Sequence, residues 1–237
     1  MAGSRYLLEC GKPKADYAII GEPTAMQPIF AHKGISMMTI QLEGASGHSS
    51  DPSLGANALD AMHRVMGELI AMREELAAAN QNNAFAVNVP TMNLGCMRAG
   101  DNPNRICGHA ALQIDLRLLP GMDSEVIHEA LERRITAVVA NTGVSLQLHK
   151  AYPPIPPFQS DPNGKLLGAL SGLSGNQPGT VAFGTEAHFM QTLGMETVVW
   201  GPGSIDQAHQ PNEYLDKAQL APATDTLRRV IQKFCLV

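Results

Sequence analysis

The spacing of apolar residues changes twice along the chain, and those changes divide it. Residues 15–20 form a short apolar run that stops at Gly21-Glu22-Pro23-Thr24. That is the pattern of a buried strand with functional groups at its carboxyl end. Ahead of it, Tyr6, Leu7 and Leu8 read as the end of an amphipathic helix whose start is missing, with no cap before them. The alternation over residues 36–42 predicts a half-buried strand. Leu59, Met62, Met66, Leu69 and Leu76 recur mostly at three- and four-residue steps, the stripe of a helix. Residues 90–97 and 106–119 are the next strands, and in the second Leu112, Ile114, Leu116 and Leu118 alternate with Gln113, Asp115 and Arg117. Asp123 can cap a helix carrying Val126, Ile127, Leu131, Ile135 and Val138, closed by Asn141-Thr142-Gly143. Val144, Leu146 and Leu148 then supply a fourth strand. The order β-α-β-β-α-β predicts a sheet with two helices on one face.

The proline-rich stretch over residues 153–157 breaks this pattern. Beyond it the sequence predicts helices near 165–173, 186–193 and 222–234, with strands near Val181 and at 197–200. This helix-strand alternation matches the opening segment. The fold class expected is therefore α/β. A discontinuous parallel-sheet domain, residues 1–34 and 153–237, is interrupted by a β-α-β-β-α-β, ferredoxin-like domain at 35–152.

Composition narrows the function classes. At about 150 residues per domain, 237 residues give one large or two modest domains. Seventeen basic and 22 acidic side chains leave −5, unlike a general nucleic-acid binder. There is no G-x-G-x-x-G or Walker phosphate loop. No run approaches 18 apolar residues and the first residues lack a signal pattern, so neither membrane nor secretion is expected. Cys10, Cys96, Cys107 and Cys235 form no C-x-x-C pair and read as reduced thiols of a cytoplasmic protein.

Three loops hold the unusual polar residues. Glu22, at the end of a buried strand, could ligate a metal or act as a base, but a carboxylate bonded into the next turn is the simpler reading. His209, in the glycine-rich loop after strand 197–200, could offer a neutral imidazole to zinc or be an exposed loop residue; its position after a strand makes the two about even. Gly47-His48-Ser49-Ser50-Asp51 invites a nucleophile reading. Triads, however, are assembled from separated segments, so Asp51 is assigned as a helix cap with Pro52 at the first position, and His48 stays open. His63 and His128, on helices, are expected at the surface or its edge. His32, His109, His149 and His188 lack partners at metal-ligand spacing.

Taken together, residues 21–34 (G-E-P-T-A-M-Q-P-I-F-A-H-K-G), 46–52 (S-G-H-S-S-D-P), 104–107 (N-R-I-C), 115–122 (D-L-R-L-L-P-G-M), 184–187 (G-T-E-A) and 201–215 (G-P-G-S-I-D-Q-A-H-Q-P-N-E-Y-L) resemble the acetylornithine deacetylases. These enzymes are part of the zinc amidohydrolase family that includes succinyl-diaminopimelate desuccinylase and glutamate-releasing carboxypeptidases. The resemblance implies a two-zinc α/β catalytic domain, with cobalt able to take zinc's place, interrupted by a lid through which two copies pair. It implies that Glu22 ligates one zinc and His209 the other. His48 would be the lid histidine that reaches the partner's active site and steadies the oxyanion. Asn104, Arg117, Gly184 and Thr185 would hold the substrate. The reaction implied is hydrolysis of the acetyl amide of N-acetylornithine by metal-activated water.

The family's H-x-D segment, bridging aspartate and Glu-Glu pair do not occur here; Glu74-Glu75 falls on the lid helix. The expectation is that the chain alone holds zinc weakly, is inactive, and leaves an unpaired sheet edge. A separate N-terminal fragment could complete it. The alternatives are a non-catalytic dimerisation remnant and, lowest, a serine hydrolase using Ser49 and His48.

Overall fold

The computed structural model describes residues 1–236. The helices are α1 (Ala2–Glu9), α2 (Ala58–Ala79), α3 (Ser124–Val139), α4 (Lys165–Ser174), α5 (Ala187–Thr192) and α6 (Leu220–Cys235). The strands are β1 (Tyr17–Ile20), β2 (Ile29–His32), β3 (Gly34–Glu43), β4 (Thr91–Ala99), β5 (His109–Leu118), β6 (Ser145–Lys150), β7 (Phe158–Gln159), β8 (Gly179–Val181) and β9 (Glu196–Val199). The chain divides into two compact units, one of residues 34–156 and one of residues 1–33 with those from Pro157 onward.

In the discontinuous unit β1 lies beside β9 in parallel, with Ile20 opposite Val199. β2 lies beside β8 in parallel and meets β7 and β9 antiparallel. The parallel pairs fit the sheet expected from the sequence. The antiparallel ones come from β2 and β7, which the sequence reading does not separate from their loops; at four and two residues, neither shows a period. Yet β2 is as enclosed as β9, with Ile29, Ala31 and His32 almost wholly buried. Successive residues of β9 and its continuation point to opposite faces. Val198 and Trp200 pack with Leu166, Leu167 and Leu170 of α4 and with Ala223 and Val230 of α6. Val199 packs with Ile29, Phe158 and Ala187 of α5. Each full burial of such a side chain contributes about 1.5–3 kcal/mol. β1, expected to be buried, is half-buried at all four positions. Its only sheet neighbour among the described residues is β9, so one edge is open. On α6, Leu220, Leu227 and Ile231 are exposed.

In the other unit the strand order is β4-β5-β3-β6, all antiparallel. β3 alternates buried and half-buried over ten residues. Its buried Met38, Ile40 and Leu42, with Leu112, Ile114 and Leu116 of β5, pack against α2 and α3 on one face. The details of the helix stripes differ from expectation. On α2 the deepest residues are Ala58, Ala61, Met62, Val65, Leu69 and Met72. Leu59 is exposed and Met66 and Leu76 only partly buried, because the stripe sits a fraction of a turn from the one read off the largest apolar residues. On α3, Val126 is exposed at 59%. His128, expected at the surface, is 5% exposed and its Nε2 lies 2.8 Å from the hydroxyl of buried Ser36. Burial holds its pKa below the usual histidine value, so the ring packs as a neutral group.

Candidate functional site

Two loops follow the carboxyl ends of the paired strands β1 and β9, and their backbones interlock. The Met26 N–H donates to the Gly201 carbonyl at 2.9 Å, and the Ala25 N–H to that of Gly203 at 2.6 Å. Buried Thr24 accepts from the Gly201 N–H at 3.2 Å and donates to the Gln27 carbonyl at 2.7 Å. Trp200 Nε1 closes the turn by donating to the Met26 carbonyl at 2.7 Å. A Cβ at Gly201 would lie 2.6 Å from the Glu22 carbonyl, so this approach needs glycine. Glu22 is thus the first side chain past β1, held on a rigid base.

Glu22 is half-buried, and its pKa is raised, first by burial and then by the charge of Glu186. Glu186 precedes α5, in the turn that also carries Gly184 and Thr185. The Thr185 hydroxyl accepts from the Ala187 N–H at 3.1 Å, and the Thr185 N–H donates to His32 Nε2 at 3.3 Å. Glu22 and the 184–186 turn therefore share one electrostatic neighbourhood. His209 is exposed, has a left-handed φ of 62°, and donates its N–H to Glu213 at 3.1 Å. Among the described residues no three His, Cys, Asp or Glu side chains gather as a metal site. One carboxylate and one imidazole are the right donor types for zinc but fall short of the three or four it takes from a protein. The described residues do not by themselves make a metal centre.

His48, Asn104 and Arg117 lie in the other unit. His48 pairs with Arg105 in an antiparallel bridge, and the Ser49 N–H donates to the Asn104 carbonyl at 3.1 Å. His48 and Asn104 are thus on adjoining loops at the end of the sheet where β5 begins, and both are exposed. Arg117 is not with them. It sits at the far end of β5, opposite Ile35, eight residues and roughly 27 Å from His109 along the strand. There its guanidinium grips Asp115 through contacts of 2.9–3.2 Å.

The nucleophile reading of the His48 loop does not survive. It is Ser50, not Ser49, whose hydroxyl lies 2.8 Å from His48 Nδ1, while the Ser50 N–H also donates to that nitrogen at 3.3 Å. Asp51 is spent on the Ser53 N–H and hydroxyl, at 3.0 and 2.6 Å, so it does not orient the imidazole. Asp51 does cap a helical turn, but this is the short 3-10 segment Pro52–Leu54; α2 is capped by Asn57. Because the Ser50 N–H donates to Nδ1, the neutral ring carries its proton on Nε2.

Residues 30–142 match the M20_dimer family, peptidase dimerisation domain. Similarity runs through the rest of the chain as well: it is 42% identical over 235 residues, 99% of its length, to acetylornithine deacetylases of Pectobacterium atrosepticum and Klebsiella pneumoniae. The chain spans 61% of the length of those relatives. An M20 family metallo-carboxypeptidase from Sulfolobus solfataricus shares the fold, with a TM-score of 0.72 at 18% identity, over 99% of this chain and 67% of that one.

Sequence reasoning passed over His32 and gave Glu186 no role. His32 has no partner at metal-ligand spacing in the sequence, and only the folded chain shows that β2 delivers its ring to the 184–186 turn.

Proposed function

We propose that this chain supplies part of a metal-dependent amidohydrolase that removes the acetyl group from N-acetylornithine, a step toward arginine. The observation that carries this is the placement of Glu22 and His209 on interlocked loops after two adjacent parallel strands, in a chain 42% identical to acetylornithine deacetylases along its length. Ligands of such sheets gather at this edge. Zinc, or cobalt in its place, would be held by Glu22 and His209 together with donors from outside residues 1–236. The metal would supply an activated water and a Lewis acid. The chain's own share is to hold the carboxylate and imidazole donors in place, to present the Gly184 backbone to the substrate with Thr185 buried behind it, and to offer the Nε2–H of His48 to a developing oxyanion. Asn104 and Arg117 would hold the substrate from the lid unit. A homodimer formed through the lid unit belongs to this reading and is supported by the match of residues 30–142 to a peptidase dimerisation domain.

A second reading rests on the dimerisation-domain match covering most of the 34–156 unit while the metal donors among the described residues are too few: a chain that only pairs through its lid. A cytoplasmic location is proposed with either, supported by four free cysteines. The deciding experiment measures zinc content and N-acetylornithine hydrolysis for the chain alone and after adding a polypeptide matching the part of the relatives it does not span. Zinc uptake and turnover only on mixing support the enzyme reading. Dimerisation with neither leaves the lid function alone.

A further inference from the structure

His32 is a fully buried imidazole in the discontinuous unit, at the end of β2. Its ring lies against Phe158, with centroids 5.3 Å apart. Nδ1 is 2.9 Å from the Lys33 carbonyl. A carbonyl can only accept, so Nδ1 carries the proton. The neutral ring then has an unprotonated Nε2, and the Thr185 N–H points at it from 3.3 Å. The two contacts fix each other: the Lys33 carbonyl sets the tautomer, and the tautomer creates the acceptor. Thr185 is itself fully buried, and its hydroxyl takes the Ala187 N–H that opens α5. The turn bearing Gly184, Thr185 and Glu186 thus hangs on one imidazole nitrogen.

We infer that His32 is a positioning residue which, through its Nε2 lone pair, holds the Gly184–Glu186 turn in place at the start of α5. Its bearing on substrate rests on the deacetylase reading above; the hydrogen-bond chain does not. Protonation would set an Nε2–H against the Thr185 N–H, and burial opposes it by lowering the His32 pKa to about 4. The site stays in its accepting form across the neutral range.

The test compares His32→Gln with His32→Asn in the whole chain. Glutamine can bring an oxygen to the Nε2 position, whereas asparagine reaches only the Nδ1 position. Amide exchange at Thr185 should rise about tenfold in His32→Asn, the worth of one hydrogen bond, and stay near the parent rate in His32→Gln. In the parent, 15N spectra should show Nδ1 protonated and Nε2 bare at neutral pH. A protonated Nε2, or equal Thr185 exchange in all three proteins, overturns the assignment. If His32→Asn is unfolded, as judged by Trp200 fluorescence, the tautomer and the behaviour of His32→Gln decide alone. N-acetylornithine added to the parent mixed with zinc and the polypeptide matching the part of the relatives it does not span separates the two layers. Shifts at the Gly184 and Thr185 amides support the substrate role. Unmoved amides with the exchange pattern intact refute the substrate role and leave the positioning role standing.

Discussion

Replacing Gly44 by alanine and Gly67 by alanine makes the same chemical change within one unit, and the structure gives the two opposite signs. Gly44 ends β3, where the chain enters the His48 loop. A Cβ there would lie 2.0 Å from the Ala56 carbonyl oxygen and 3.1 Å from its carbon, all rigid backbone. To restore ordinary contact at 3.4 Å the two backbones must separate by about 1.4 Å. Beside that point Ala45 and Ala56 exchange two hydrogen bonds of 3.0 and 2.9 Å, which such a shift would take out of range. Two lost bonds at about 0.5–1.5 kcal/mol each put the cost at about 1–3 kcal/mol. Gly67 lies in the exposed middle of α2 with nothing within 4 Å of its would-be Cβ. Alanine there should stabilise by about 0.8–1 kcal/mol through helix propensity alone. Urea unfolding followed by far-UV circular dichroism should move the midpoint down for Gly44→Ala and up for Gly67→Ala at unchanged slope. In Gly44→Ala the NMR signals of His48 should also shift, since its loop is what moves. A Gly44→Ala protein as stable as the parent, with His48 unmoved, would refute the close-approach argument.

Glu22→Gln removes a half-buried charge beside Glu186 and should stabilise the chain at pH 7 by up to about 1 kcal/mol. Because the folded-state pKa of Glu22 is raised, the gap should close as pH falls through the carboxylate range; the same variant should abolish the zinc-dependent turnover proposed for the mixed polypeptides. Buried His32 binds its proton less readily folded than unfolded, so its stabilising contribution is full above about pH 6.5 and is lost as pH falls from there to about 4. At about 1.4 kcal/mol per unit this is a loss of about 3 kcal/mol, which pH-dependent unfolding monitored at the sole tryptophan, Trp200, should show and His32→Gln should flatten. Ser36→Ala strands the buried Nε2 of His128 and should cost about 1–3 kcal/mol in thermal or urea unfolding.

The chain's own pattern determined the topology of the 34–156 unit, because β3 and β5 are ten-residue strands whose period is long enough to read and Asp123 marks where α3 starts. It also determined the candidate loops, since Gly21-Glu22-Pro23-Thr24 and the Gly201–Glu213 stretch each follow an apolar run. What it left undetermined depends on contacts between distant segments. β2 and β7 are too short for any period, and they exist as strands because neighbours supply their hydrogen bonds. His128 carries the same side chain as exposed His63, yet packing of α3 against Ser36 buries it. The partnership of His32 with Thr185 spans 153 residues of sequence, and the separation of Arg117 from His48 and Asn104 follows from which end of β5 each adjoins. Periodicity reports which side of an element is apolar; only the assembled sheet decides which residues that side meets.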